Sequence, residues 1–562
     1  MFLKFKDEVE TVLADAFDST EYSTDDLRIE ESAHADLASS LSFGLASTYR
    51  QNPATIANRI ADAIIIPADS LIGDVQVAGA YINFFVSNKF LERTIRETFG
   101  AKESYGAGHR EGRVIIEHTS ANPNGPLHVG HIRNSIIGDT LSRILKKAGY
   151  EVEVQYYVND MGRQVAIVAW ALDRFEFDGG KKTDHAIADV YIRANQELGE
   201  DPDLVCEIDS MMQEIELGDE GMIDRFSRVT LLAIDGITTT LARMNVHHDQ
   251  FVHESQFVRN GDVASLLQEL DHRGLVEMID GALTVPMPEF DKDLVVRRSD
   301  QTSLYVTRDL AYHRWKAERC DSMIDVLGAD HKLISSQLCH VLAAYGVMEP
   351  KIVIFEFVSL PEGSMSTRAG KFISADELLD QIEKQALQEV TKRRPDADAG
   401  FRDRVAREVG VGAVRYDIVK VSPEKATTFD WESALYFDKL GAPFIQYSHA
   451  RACSIIRKAP HVPELAEIDL SLLMSDAEIA FVKQLARFSF VIDTAATELK
   501  PHIVAIYARE LAESFNQFYR LSPVLTAPDE PLRDARIGLV ECARVALSNV
   551  LDVLGIAAPE SM

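Results

Sequence analysis

An apolar run beginning at Val114 leads through a polar turn into Ile132, Ile136, Ile137, Leu141, Ile144 and Leu145 at helical spacing, and Gly149 then stops the helix. The next segment, EVEVQYYV, alternates, with Val152, Val154, Tyr156 and Val158 on one side. Strand, helix and strand in this order predict a βαβ unit of the doubly wound kind, an α/β architecture. Such sheets bind ligands beyond the carboxyl ends of their strands, so the turn leaving Glu117 is where chemistry is expected.

The rest of the chain arranges itself around this unit. Residues 1–108 form a first α/β block, with helical spacing early and a strand pair ending in QVAGAYINFFVS. Residues 112–391 form the Rossmann-type part, interrupted from about 175 to 280 by a helical, acidic insertion, with a second α/β stretch beginning near LTVPMPEF. The polar stretch KRRPDADAGFRDR marks a hinge, and residues 405–562 are all helical in spacing. There Ser475 and Glu478 make a capping box.

With 562 residues, 46% of them hydrophobic, the chain has the composition of a folded protein of several domains. No apolar run is long enough for a membrane helix, and the mixed charge of MFLKFKDEVETVLADAF is unlike a signal peptide. Cys206, Cys320, Cys339, Cys453 and Cys542 are scattered, without a zinc-type cluster, which points to a reducing cytoplasm and no structural metal. The net charge of −30 disfavours generic nucleic-acid binding unless basic residues gather on one face.

The most informative segment is EHTSANPNGPLHVGHIRNS, Glu117 to Ser135, in the turn before the helix. A turn rich in Asn, Pro and Gly brings backbone close to a ligand, and a helix N-terminus favours phosphate, which His128 and His131 would flank. Solvent-facing or metal-binding histidines are the alternatives, although Pro126 and Gly130 put them on a turn, not on one helix face. Further on, PEGSMSTRAGKFIS follows a strand-like run and on its own reads as a Gly/Ser loop. Tyr447 and Arg451, four apart, share a helical face; they can stack on bases and hold phosphate, or be core and ion pair.

HVGH after a strand resembles the first class I aminoacyl-tRNA synthetase motif, and SANPNGPLHVGH the arginyl branch of that family. The resemblance extends through MSTR, Met365 to Arg368, through SLYVTRDLAYHRW, which resembles the family's Tyr-x-x-Thr-Arg-Asp segment with one residue instead of two between Tyr305 and Thr307, and into TFDWESALYFDKLGAPFIQYSHARACSIIRK and LDVLGIAAPESM. AGAYINF resembles the family's extra tRNA-binding domain, so only the acidic insertion lacks landmarks.

The resemblance implies a Rossmann-type class I catalytic domain carrying a helical insertion, a small N-terminal α/β domain and an all-α C-terminal anticodon-binding domain. It implies a cytoplasmic arginine-tRNA ligase, commonly monomeric, that uses ATP with Mg2+, L-arginine and tRNA(Arg), with no DNA or membrane partner. His128, Gly130, His131, Met365, Ser366 and Arg368 would then hold ATP, and Glu117, Asn122, Tyr305, Asp309, His331 and Gln337 would hold arginine. Tyr447 and Arg451 would contact tRNA.

Thr367 stands where the usual second loop lysine would be, and Gly125 where some arginyl enzymes carry a substitute, which leaves Arg368 and Lys371 as the candidate cations. A carboxylate suits a guanidinium, so Asp309 is chemically apt. Thr307 as an N-cap with Asp309 in the first helical turn explains the same segment without a ligand. Glu117 is alternatively a fold-level partner for an arginine, and Gln337 a solvated helix residue.

Overall fold

The computed structural model describes residues 1–17, 24–359, 373–430, 434–435 and 441–562. Its centre is a five-stranded, wholly parallel sheet built from β1 (Arg113–Glu117), β2 (Glu151–Val158), β3 (Gln250–His253), β4 (Ser322–Gly328) and β5 (Lys351–Phe355). The strand order is β5-β4-β1-β2-β3. Chain order runs outward from β1 to β2 and β3, then returns to the other side of β1 as β4. That reversal places the topological switch point between β1 and β4, where a parallel sheet opens a crevice for ligands.

The expected helix is α1 (Val129–Ala148), and Ile132, Ile136, Ile137, Leu141 and Ile144 are buried beneath it. Gly149 ends it at φ 111°, and a Cβ there would lie 2.6 Å from the Arg110 carbonyl oxygen, so only glycine fits. Beyond β2, helices Arg163–Leu172, Thr183–Glu200, Val205–Glu216 and Glu220–Arg243 enclose a core of their own around Trp170, Ile187, Ile208 and Phe226.

Two expectations about this half need correction. β3 lies inside the stretch read as insertion, because four residues of mixed polarity carry too little period to betray a strand at the sheet edge. LTVPMPEF does not open the second Rossmann half; Ala282–Val285 pairs antiparallel with Glu277–Ile279 and Leu294–Arg297 in a separate three-stranded sheet.

The N-terminal block is a four-stranded antiparallel sheet under helices, and the expected strand pair is Ile72–Ala78 with Tyr81–Val86. The polar stretch 392–404 holds the end of helix Ala375–Arg393, a short turn over residues 394–398 and the start of helix Ala399–Val419, capped where Asp398 accepts from the Phe401 N–H at 2.8 Å. It is no hinge, since these helices pack along their length. The capping box at Ser475 and Glu478 starts helix Asp476–Ala486 as expected.

One buried cation joins the blocks. Arg415 donates to Asp139 of α1 at 2.5 Å, to the Met244 carbonyl at 2.8 Å and to the Leu554 carbonyl at 2.8 Å. Helix α1, the end of helix Glu220–Arg243 and the end of the closing helix Glu530–Val553 therefore meet on one guanidinium.

Next to it, the rings of His118 and His248 pack 4.4 Å apart, and burial pushes both imidazoles to lower pKa, His248 to about 4. A histidine held neutral by burial stabilises the fold fully above its unfolded value, near 6.5, and loses that contribution as pH falls toward the folded value. Unfolding free energy should therefore decline from about pH 6.5 downward. His248→Gln should flatten that decline in urea titrations; an unchanged slope would remove the pair as its cause.

Candidate active site

The turn after β1 is strained in a way that aims it. Thr119 and Ser120 both have positive φ, 70° and 39°, an unfavourable state for residues other than glycine, and most so for the β-branched Thr119, that costs on the order of 1–3 kcal/mol per position. The Asn134 side chain of α1 holds it by accepting the Thr119 N–H at 2.9 Å, and Ser135 Oγ lies 2.8 Å from Thr119 Oγ1. The chain reaches α1 with His128 as N-cap.

His128 Nδ1 accepts from the Gly130 N–H at 3.0 Å and the His131 N–H at 3.4 Å, and His131 Nδ1 accepts from the His128 N–H at 3.3 Å. These bonds assign each neutral ring its proton on Nε2. Burial lowers the pKa of both, and with the neighbouring His128 it takes His131 down to about 3. The stacked rings, 3.6 Å between centroids, thus present neutral N–H donors at the positive end of a helix. A Cβ on Gly130 would lie 2.9 Å from His128 Cε1, so glycine lets the imidazole fold over the turn.

Below the turn, register lines up a buried polar row across the sheet. Asp325 of β4 pairs with Glu117 of β1, Glu117 with Gln155 of β2, and Gln155 with Gln250 of β3. Helix α2 (Tyr305–Ala317) lays one face on this row. Tyr312 donates to Gln155 Oε1 at 2.7 Å. The fully buried Lys316 ammonium lies 3.2 Å from Glu117 and 2.8 Å from Asp325. His313 meets Asp325 through Nε2 at 2.7 Å and the Asp309 carboxylate through Nδ1 at 3.1 Å.

Burial and Lys316 push the His313 pKa down, but Asp325 and Asp309 prevail and raise it to about 10. Burial raises the Glu117 carboxyl against the pull of Lys316, while Asp325 is held below its ordinary range by Lys316 and His313 in spite of burial. Three carboxylates against two cations leave the cluster acidic.

A further carboxylate adjoins it. Glu254 is buried and binds Arg308 through Oε1 at 2.5 Å, while its Oε2 has no hydrogen-bond partner among the described residues. Burial, opposed by Arg308, raises it to about 7. The Tyr157 hydroxyl is equally buried and unpartnered, stacked on Tyr312 at 4.5 Å, and Glu254, Asp309 and Glu117 all bear on it. Two polar atoms among carboxylates, without a hydrogen-bond partner among the described residues, mark a subsite with unused hydrogen-bonding capacity.

Of the arginine candidates from sequence, Glu117 and Asp309 come together here. Tyr305 is exposed one turn before Asp309, and Asn122 accepts from Asn159 Nδ2 at 3.3 Å beyond β2. The N-cap reading of Thr307 fails: the helix begins at Tyr305, and the buried Thr307 hydroxyl bonds the Val296 carbonyl. Glu117 pairs with a lysine instead of an arginine. Gln337 is buried, not solvated, and donates to the Lys292 carbonyl at 3.2 Å, whereas His331 is exposed beside Asp330.

Met365, Ser366, Arg368 and Lys371 lie outside the described residues. The chain that follows them is placed, however: Ser374 forms an antiparallel bridge with His128, and the Ala375 N–H donates to the Leu127 carbonyl at 2.7 Å. Sequence reading missed Lys316, His313, Asp325, Glu254 and Tyr157. A signal existed for some of them, since Asp309, His313 and Lys316 share one helical face and Asp325 interrupts the apolar run SMIDVLG.

In the C-terminal helices Tyr447 is exposed, and the Arg451 guanidinium lies 4.7 Å from its ring and 5.4 Å from that of Tyr519. Two cavities share this pair, one of about 440 Å³ bordered by Arg393, Arg394 and Met562, the other of about 590 Å³ bordered by Tyr519 and Arg520. Basic and aromatic groups gather here despite the acidic total.

Three family models match the chain: "tRNA synthetases class I (R), catalytic domain" over residues 94–431, "DALR anticodon binding domain" over 445–562, and "Arginyl tRNA synthetase N terminal domain" over 4–86. The chain belongs to the arginyl-tRNA synthetase family.

Its fold is that of this class I family, and its activity is that of an arginine-tRNA ligase. An arginine-tRNA ligase of Methanococcoides burtonii is 57% identical, and one of Archaeoglobus fulgidus 46%, each over 100% of both chains. The solved arginyl-tRNA synthetase of Thermus thermophilus superposes with a TM-score of 0.84 at 30% identity, covering 99% of each chain. That of Plasmodium falciparum, at 17% identity and a TM-score of 0.81 over 99% of each chain, shares the fold. Among the described residues no helix is long and apolar enough to cross a membrane.

Among the described residues two carboxylate-histidine groups, Glu117/His313/Asp325 and Asp184/His185/Asp376, have spacing that would suit a metal. Each already holds an ammonium between its carboxylates: Lys316 in the first, and in the second Lys182 at 2.7 Å from Asp184 and 2.7 Å from Asp376. A second cation would meet repulsion in either place.

Proposed function

We propose that the acidic subsite around Asp309, Glu254, Glu117 and Tyr157 binds L-arginine, and that the stacked His128–His131 pair binds the phosphates of ATP. The observation that carries this reading is the pair of unpartnered buried atoms, Tyr157 OH and Glu254 Oε2, among carboxylates. A guanidinium brings several N–H donors and one positive charge, which the cluster lacks. Asp309 takes the guanidinium fork with Tyr305 alongside, and Glu117 and Asn122 face the α-ammonium.

In the first step the arginine carboxylate attacks the ATP α-phosphorus, forming the mixed anhydride and releasing pyrophosphate. Neutral Nε2–H groups of His128 and His131 donate to phosphate oxygens as charge builds there, with the α1 N-terminus behind them. Arg368 and Lys371 are the candidates for balancing pyrophosphate, together with Met365 and Ser366 of the same loop. Mg2+ arriving with ATP would neutralise part of the phosphate charge. In the second step the 2'-hydroxyl oxygen of the terminal adenosine of tRNA(Arg) attacks the carbonyl carbon of the mixed anhydride, the acyl–phosphate bond breaks, and AMP leaves with the hydroxyl proton released. Tyr447 and Arg451 stack on and neutralise the anticodon region of that tRNA, beside Arg393 and Arg394.

Pyrophosphate exchange measured with each amino acid, with and without tRNA, tests the reading. Exchange is expected for arginine alone, and its absence for arginine under every condition would overturn the assignment.

A further inference from the structure

We propose that Asp376 is a positioning residue for the ATP side of the site, a mooring through which the insertion holds the chain next to His128. The proposal rests on the function inferred above. Asp376 lies in the first turn of the helix that follows residues 360–372, but that helix is already capped: Ser374 and Glu377 satisfy each other's backbone N–H groups. The Asp376 carboxylate points away from this cap, into the insertion. There it meets Lys182 at 2.7 Å, His185 at 3.0 Å, Thr240 at 3.1 Å and Arg243 at 3.2 Å, with a side chain only 12% exposed.

These partners come from two insertion helices, Thr183–Glu200 with its N-cap Lys182, and Glu220–Arg243. Arg243 extends the grip along the same helix, reaching Asp380 at 2.7 Å and Glu383 at 3.1 Å. A single carboxylate surrounded by cations and a hydroxyl is held far more firmly than a surface pair, because each partner is partly desolvated and separately anchored.

Two residues before Asp376, Ser374 makes its bridge to His128, and one residue before, Ala375 binds the Leu127 carbonyl. The same insertion helix also backs the turn itself, where a Cβ on Gly125 would lie 3.2 Å from Ala188 Cβ. The insertion thus touches both strands of chain that meet at His128. Asp309 and Glu254 hang on separate elements, α2 and helix Glu254–Arg259. Loosening Asp376 should therefore misplace the phosphate side and spare the arginine side.

The test is pyrophosphate exchange by the full chain with tRNA present, alongside thermal unfolding. Asp376→Asn should raise the KM for ATP about tenfold or more, since small displacements near reacting groups carry large kinetic penalties, with the KM for arginine within about twofold. Lys182→Gln should shift the ATP constant the same way but less, and Asp376→Glu should restore part of it. If Asp376→Asn does not fold, Lys182→Gln is read against the same contrast.

An unchanged KM for ATP, or a parallel loss for both substrates that tracks the fall in Tm, overturns the proposal and reduces the cluster to a structural clamp. Wild-type protein without any arginine-dependent exchange would instead refute the underlying reading of the site and take this inference with it.

Discussion

Lys316→Met should lower the free energy of unfolding by about 3–5 kcal/mol, the range for removing one partner from a buried charge network. The ammonium is fully buried and lies within hydrogen-bonding distance of Glu117 and Asp325, two carboxylates paired in register on neighbouring strands. Methionine fills the same volume yet leaves those carboxylates facing one another without water. His313 remains, but it already serves Asp325 and Asp309.

The deficit should depend on pH in a definite direction. Without Lys316 both carboxylates lose the charge that pulls their folded pKa values down against burial, so the variant is penalised most where they must be ionised. The gap from wild type, measured in urea at pH 8 and pH 5, should narrow at the lower pH as a proton replaces the missing charge. A loss below about 1 kcal/mol, the size of an exposed pair, would mean that the row is solvated in solution.

Asp309→Ala is expected to raise the KM for arginine about a hundredfold or more, because losing one partner of a desolvated charge pair costs roughly 2–5 kcal/mol. The effect should fall on arginine and leave the KM for ATP nearly unchanged. Stability should move little, since Asp309 is partly exposed and touches the fold chiefly through His313. Unchanged arginine dependence would transfer the guanidinium to Glu254, whose free oxygen and raised pKa make it the alternative anchor.

The two variants separate what α2 does. Lys316 and His313 face the sheet, where Lys316 answers both Glu117 and Asp325 and His313 answers Asp325. Asp309, one turn away, faces the subsite. All three share one helical face, four and three positions apart, so the division runs along the helix axis and not around it: Asp309 lies one turn nearer the exposed start of the helix, beyond the buried row. The segment YVTRDLAYHRWK contains both roles, and reading it for ligand contacts alone revealed only one of them.

Much of the architecture was legible in the order of residues. The strand, histidine-bearing turn and helix, the stop at Gly149, the capping box at Ser475 and the Tyr447–Arg451 face all depend on contacts within a few positions, and local chemistry decides them. Short β3 and the three-stranded sheet at Ala282–Val285 were not legible, because a strand of four residues is stabilised by its neighbours more than by its own pattern.

The sequence by itself determined that His128 and His131 stand at a helix N-terminus above a parallel strand, since turn residues, capping and apolar spacing act locally. Only the tertiary structure decided that Asp325, Glu117 and Gln155 form one row, that Lys316 and not an arginine answers them, and that Asp376 belongs to the insertion. The reason is range. Register between strands and the burial of charge are set by groups brought together from distant parts of the chain, and a buried carboxylate takes its character from whichever cation folding delivers to it.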